Sequence, residues 1–489
     1  MFKSLNIYTI ILFLISFNLL FSKEIKYEFV GEMYFPSSVI LDQIDFSNNE
    51  KYSDKENIEE TIDGILKFYS NSGFPLCTIK VIDLNSDEDS TYCKIKITSG
   101  KYVRIFFIEF EGNKVCDQDF LVRETRLNVG SKFSEEEVKI AMNYLYKTGL
   151  FNIKPEYSII KKKGKLGLKI DLSEKKYFKG MFLGGISNSD DESEFVGSGE
   201  FLAENIFGTN RKAGIKWIKK TKTDEKIHLM YQEPFILSLP ISNRFVFEQE
   251  NVDLQYLKRK YKLFTEWTID PESDLFVSYS LENFYPDSVN SVITSDIEIN
   301  RYEGGMKYST MYNSSLIPSE SGFSLSGSVS SINTKFAGKD STINAVQLDV
   351  NMKKIFKIDK RIFFVTNNEY SQLFSSKEID SFSKIVFGGA YGLRGYQDES
   401  FLSDIKFLSE YELIFTPIMD LGLGCFLDIA GFNPNKEKIM DIKDIELKFG
   451  YGIVLSYLKN ANEIQFTIGI PGDKGFGESM VHVKYSYRF

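Results

Sequence analysis

Histidine is almost missing from this chain, with His228 and His482 the only two in 489 residues. They stand far apart, on alternating segments, and none of the four cysteines forms a C-x-x-C pair. The side chains of a zinc centre are therefore not gathered anywhere, and no metal or cofactor is expected. An excess of basic charge is also lacking. Lys and Arg total 59 against 68 Asp and Glu, a net charge of −9. Without a basic footprint, nucleic acid is excluded as a main partner. After residue 22 no run of eighteen apolar residues occurs, which excludes later helical membrane spans. Tryptophan is scarce at two residues, yet aromatics reach 15% through 43 Phe and 27 Tyr. Amphipathic rings in that number suit a water–lipid boundary.

The N-terminus is the one long apolar run. Lys3 precedes "LNIYTIILFLISFNLLF", which ends near Ser22 before the charged "KEIKYE". A short basic start, an apolar core and a small terminal residue predict a signal peptide over residues 1–22, with a membrane anchor as the alternative. Both readings take the chain out of the cytoplasm. An exported chain without later helical spans is either soluble or a β-barrel, because only helices and closed barrels satisfy every backbone group in lipid. By strand parity Cys77 and Cys93 face one core. That leaves open a disulfide or two buried thiols.

One unit then occurs twice. Residues 23–101 hold the strand "IKYEFVGEMYF", a helical stretch through "SDKENIEETIDGILKFYSNSGF", and the strands "CTIKVIDL" and "STYCKIKITSG". Residues 102–176 hold "VRIFFIEFEGN", "SEEEVKIAMNYLYKTGLF", "KPEYSII" and "KLGLKIDLSE". Each reads β-α-α-β-β. Ser53 with Glu56, and Ser134 with Glu137, form capping boxes that open the long helices. Ile58, Ile62, Ile65 and Tyr69 share one helical face, as do Val138, Ala141 and Leu145. Gly73 and Gly149 suit the left-handed position that ends a helix. "IEFEGNKVCDQDFLVRE" followed by "YLYKTGLFNIKPEYSI" resembles a POTRA domain, the periplasmic module of outer-membrane assembly and secretion proteins. A short mixed sheet leaves a strand edge that could accept an extended client by backbone pairing; a rigid spacer is the plainer reading.

Residues 177–489 contain no convincing amphipathic helix. Their alternation marks sixteen strands, near 177–187, 194–206, 209–222, 225–235, 241–252, 259–269, 272–283, 303–312, 321–333, 343–355, 360–373, 404–415, 419–431, 444–456, 461–470 and 479–489. Even-numbered links are short, and several odd-numbered ones are long. That is the asymmetry of a bacterial transmembrane barrel, with short periplasmic turns and longer outer loops. The expected fold is therefore two α+β POTRA-like domains followed by a 16-stranded antiparallel transmembrane β-barrel. In "VHVKYSYRF", Val481, Val483, Tyr485, Tyr487 and Phe489 point one way, and His482, Lys484, Ser486 and Arg488 the other. A terminal phenylalanine on such a strand resembles the C-terminal signal of outer-membrane proteins.

The stretch "GGAYGLRGYQD" places one arginine, Arg394, among small, apolar and aromatic residues. It lacks the Gly-Lys-Ser/Thr ending of a phosphate-binding loop, and no nucleophile–base pair can be assembled around it. A solvated charge is the bland reading. Within a barrel the stretch falls in the longest outer loop, between strands eleven and twelve. There it resembles the signature of the BamA/TamA and two-partner-secretion superfamily, whose sixth loop folds into the lumen on a [VIL]-R-G-[FY] tip. The resemblance makes Leu393, Arg394, Gly395 and Tyr396 that tip. It assigns Asp428, in "CFLDIAG", as the acidic partner, with Glu410 of "SEYE" as a second candidate. Glu412 departs from the family, since an arginine often follows the glutamate-tyrosine pair. Guanidinium presents a planar fork that suits a carboxylate.

The resemblance implies a bacterial outer-membrane barrel, with POTRA-like domains in the periplasm, that inserts or translocates other polypeptides without enzymatic chemistry. Its expected partners are unfolded outer-membrane or secreted polypeptides, outer-membrane lipid and accessory lipoproteins. A lateral seam is expected where the first barrel strand meets the last, at Gly180, Gly184, Gly185, Tyr485, Tyr487 and Phe489. Glycine there weakens pairing or only fits curvature. The alternatives are a two-partner-secretion transporter exporting one exoprotein, and a porin or surface antigen. The first usually carries an N-terminal plug helix, whereas Glu24 and Ile25 lead almost directly into a strand. The second leaves the loop motif unexplained.

Overall fold

The computed structural model describes residues 24–42, 54–87, 90–189, 192–219, 223–252, 255–286, 295–311, 316–338, 342–433, 445–459 and 462–486. The chain forms two compact units. One comprises Met1–Gly112, Leu121–Asn143 and Lys154–Leu172; the other comprises Asn113–Phe120, Tyr144–Ile153 and Ser173–Phe489. The expected signal segment and the Ser53 cap lie outside the described residues.

Each repeat builds a three-stranded mixed sheet. In the first, β1 (Glu24–Glu32) runs parallel to β3 (Ser90–Thr98), which pairs antiparallel with β2 (Thr78–Ser86). Helices α1 (Ser37–Leu41) and α2 (Asp54–Asn71) fall between β1 and β2. Ile58, Ile65 and Tyr69 of α2 are buried with Phe29, Cys93, Ile95 and Ile97, and Ile62 packs beside them. The apolar stripe of the helix thus meets the alternating inner face of β3. The second repeat has the same order, with β4 (Ile108–Glu111) parallel to β6 (Lys165–Asp171), and β6 antiparallel to β5 (Glu156–Lys162). Its helices are α3 (Gln118–Thr125) and α4 (Glu135–Lys147). The Ser134 hydroxyl accepts from the Glu137 amide at 3.3 Å, which caps α4.

The disulfide option is corrected: Cys77, Cys93, Cys116 and Cys425 are all free thiols. Thr78 pairs with Thr98, while Cys93 sits opposite Leu84. Cys77 therefore lies at the far end of the ladder, roughly 15–20 Å from Cys93 at strand spacing. A disulfide needs Cα atoms within about 7 Å. Burial pushes the Cys77 thiol up to about 11 and the Cys116 thiol up to about 12. A water-soluble maleimide at about pH 8 should leave Cys93 and Cys116 unlabelled until the chain is unfolded. Labelling of either in the folded protein at the rate of a free thiol would contradict this packing.

The second unit is dominated by one sixteen-stranded antiparallel sheet. Its members are β7 (Phe178–Ser189), β8 (Glu192–Ile206), β9 (Arg211–Lys219), β10 (Glu225–Glu233), β11 (Ile241–Val252), β12 (Tyr256–Thr268), β13 (Ser273–Pro286) and β14 (Ile297–Ser309). They continue with β15 (Gly322–Phe336), β16 (Thr342–Asp359), β17 (Ile362–Ser375), β20 (Ile405–Ile418), β21 (Leu421–Phe432), β22 (Glu446–Lys459), β23 (Asn462–Pro471) and β24 (Met480–Ser486). A small hairpin, β18 (Ile385–Phe387) with β19 (Phe401–Ser403), stands inside the link from β17 to β20. All sixteen expected strands are present. The largest boundary difference is β14, which starts at Ile297 rather than near residue 303.

The two faces of this sheet invert the polarity of a soluble protein. On β12, Tyr261, Leu263 and Trp267 are exposed. The alternate residues Lys258, Lys260 and Lys262 form ion pairs with Glu282 (3.2 and 2.9 Å) and Glu303 (3.2 Å). Oily residues outside and paired charges inside are what lipid without and water within demand. The sheet curls until Cα atoms of β7 and β24 come within 8 Å. Among the described residues no backbone ladder joins those two strands, whereas every other neighbouring pair is hydrogen-bonded.

Candidate functional site

The link from β17 to β20 supplies the site. Its first arm brings Ile379, Phe382 and Ile385 against Phe284, Ile297, Ile299, Ile332, Ala345 and Leu373. These strand residues all face inward near one end of the barrel, so the loop packs there as an apolar plug against one arc of the wall. Beyond the plug, the β18–β19 hairpin packs Phe387 and Phe401 against Phe432, with Leu393 and Tyr396 in the same cluster. The chain then carries its tip into the lumen.

Arg394 is buried at that tip. Its Nε and Nη2 donate to the two oxygens of Asp428, at 2.7 and 2.6 Å, and its backbone amide donates to the same carboxylate at 3.1 Å. Nη1 bonds Glu412. The guanidinium carbon lies 3.8 Å from the centroid of the Phe426 ring, so the cation is stacked as well as forked. Asp428 is fully buried and depends on this cation for its charge. Tyr396 donates to Asp473 at 2.8 Å, and Asp473 in turn holds Lys448 at 2.6 Å.

Glu410, the expected second carboxylate, does not bond Arg394. It accepts from the Asn367 side-chain amide at 2.5 Å, and Glu412 takes the arginine instead. Both residues face the lumen two positions apart on β20, and the depth reached by the loop tip selects between them. Two wall residues missed in the sequence are Gly450 and Gly469. A Cβ on Gly450 would lie 1.8 Å from the Arg394 carbonyl oxygen, and one on Gly469 would lie 2.6 Å from the Gly395 amide nitrogen. Gly395 itself has φ +94° and would place a Cβ 2.8 Å from the Ile470 carbonyl carbon. The loop tip lies backbone to backbone on β22 and β23, which only glycine permits on both sides. Inward-facing glycines on adjacent strands, two residues apart along the β22–β23 ladder, were the available signal.

The seam residues are placed as follows. Gly180, Gly184 and Gly185 pair with Phe201, Gly197 and Val196 of β8 in an unbroken ladder. Tyr485 pairs with Ile464. Tyr487 and Phe489 lie outside the described residues.

A sixteen-stranded barrel with two preceding β-α-α-β-β repeats and a loop pinned in its lumen defines the class of POTRA-bearing outer-membrane barrels. A family profile described as Omp85 superfamily domain matches residues 205–487, and one described as surface antigen variable number repeat (POTRA) matches 25–100 and 103–175. The chain belongs to the Omp85 superfamily. A search of curated protein sequences found no match. Among solved structures, BamA from Haemophilus ducreyi lacking POTRA domains 1–3 is 15% identical, with TM-score 0.52, over 95% of this chain and 99% of that one. CdiB from Acinetobacter baumannii is 12% identical, TM-score 0.56, over 96% and 89%. CdiB from Escherichia coli is 10% identical, TM-score 0.59, over 96% and 90%. At these identities the likeness establishes the fold. Family membership makes the chain an outer-membrane barrel of the insertase and translocator kind, with its POTRA domains in the periplasm.

Proposed function

We propose that this chain inserts client polypeptides into the outer membrane through the junction of β7 and β24. The observation that carries this reading is the junction itself: it is the one boundary of the sheet without a backbone ladder among the described residues. Unpaired edges there can template an incoming strand. The apolar plug at the outer end favours a lateral exit, because the client need not displace it. The POTRA sheets offer receiving edges. β2 is an edge strand whose Val81, Ile82 and Leu84 are exposed, and a bulge between Val81 and Asp83 interrupts its ladder. Such a bulge limits indiscriminate pairing.

Tethering β7 to β24 with an engineered disulfide should stop insertion in reconstituted vesicles, and reduction should restore it. Full insertion by the tethered protein would reject the lateral route. The two POTRA repeats also fit a second reading, export of one large polypeptide through the lumen. Depletion followed by profiling of the outer membrane separates these. Loss of many barrels supports insertion, loss of one secreted protein supports export, and neither loss supports a porin or surface antigen.

A further inference from the structure

The hairpin tips on the rim where β7 begins carry large apolar residues in place of the polar ones that turns prefer. The link from β8 to β9 turns through Phe207 and Gly208, both at positive φ (56° and 73°), closed by Thr209 N–H to Ile206 C=O at 3.3 Å. The link from β10 to β11 turns through Leu237 and Ser238, again both at positive φ (51° and 66°), closed by Leu239 N–H to Ile236 C=O at 2.9 Å. Asn, Asp or Gly normally fills such positions, because left-handed backbone crowds a Cβ. Met419 heads the two-residue link between the paired residues Ile418 and Leu421. Phe207, Leu237 and Met419 are 85%, 88% and 91% exposed. Nothing in the turns requires them, and two of the three are strained by being there.

We propose that Phe207, Leu237 and Met419 are anchors that sink into the interfacial zone of the periplasmic phospholipid leaflet. This rests on the outer-membrane barrel and not on the client reading. Three observations favour lipid as the occupant. All three links are even-numbered, so they share the periplasmic rim. They stand on both arcs of the barrel, at strands two to three, four to five and twelve to thirteen, and a leaflet surrounds all of them as a single docked protein would not. Exposed apolar residues also stand farther up the same strands, at Phe201, Tyr231 and its cross-strand partner Phe245, and Leu423. By contrast, the first and third links carry Asp190-Asp191 and Lys220-Thr221-Lys222 in the sequence. Side chains buried at the headgroup boundary add apolar burial and fix the height and tilt of the barrel.

The test uses the full chain in phosphatidylcholine vesicles, with Trp217→Phe and Trp267→Phe removing the native indoles. A single tryptophan then replaces Phe207, Leu237 or Met419, and heat-dependent gel mobility verifies that each variant is folded. The expected result at all three sites is blue-shifted emission. It should be quenched strongly by lipid brominated near the headgroup, less by lipid brominated near the chain end, and little by iodide in the water. Red-shifted emission quenched by iodide alone overturns the proposal. So does emission shielded from iodide and untouched by brominated lipid, which would mean a protein covers the tips. Neither outcome bears on the β7–β24 tether, so failure here is distinguishable from failure of the insertion reading.

Discussion

Replacing Arg394 by alanine should release the loop between β17 and β20 from the lumen and leave the barrel standing. The arginine gives the fully buried Asp428 two side-chain hydrogen bonds and a third from its own amide, and it also neutralises Glu412. Removing one partner of a buried ion pair costs about 3–5 kcal/mol, mostly through the charge left behind. Docking of the loop has to supply that energy. The strand ladders around it do not include Arg394 and should survive. The expected phenotype is rapid protease cleavage within residues 376–404, unchanged heat-dependent gel mobility, and lost client handling. Arg394→Lys should fall between, since it keeps the charge and loses the planar fork. Glu412→Gln should loosen the loop more than Glu410→Gln, because Glu410 is held by Asn367. A loop as protease-resistant as wild type in Arg394→Ala would refute the pin.

Alternation made the barrel readable because lipid and water impose opposite demands on successive residues of one strand. The rule also fixes where reading failed. On β14 the inward residues at the outer end are Ile297 and Ile299, and the outward ones are Glu298 and Asn300. The pattern inverts there, because the strand has left the apolar band and its inner face meets the loop plug. A reader following lipid-facing alternation starts the strand too late. The candidate site shows a second limit. Arg394 and Asp428 stand out as isolated charges in apolar runs. Glu410 and Glu412 share parity, and only the height of the loop tip separates them. Gly450 and Gly469 were hidden for a different reason. A glycine's meaning lies in what approaches it, and here that is a loop more than fifty residues away in sequence. The choice left open at Cys77 and Cys93, disulfide or two thiols, turns on register, which parity does not supply.

Gly450→Ala should expel the loop as completely as loss of the arginine, with every charged group still present. The added methyl would sit 1.8 Å from the Arg394 carbonyl oxygen and 3.0 Å from its carbon, both backbone atoms. No rotamer change relieves such a contact, so either β22 or the loop must move. β22 is held on both sides, with Gly450 opposite Asp428 on β21 and Pro471 on β23, so the loop gives way. Overpacking alone typically costs about 1–3 kcal/mol. Here displacement also draws the guanidinium off Asp428, so the loss should approach that of Arg394→Ala. The double variant should be little worse than either single, because both break one contact. Gly304→Ala is the control: it lies on the outward face of β14, with nothing within 4 Å of its added Cβ, and should be silent. Protease mapping of residues 376–404 in the four proteins reads the result. If the loop stays protected in Gly450→Ala, the close backbone approach is not what seats it, and the ion pair alone holds the tip in the lumen.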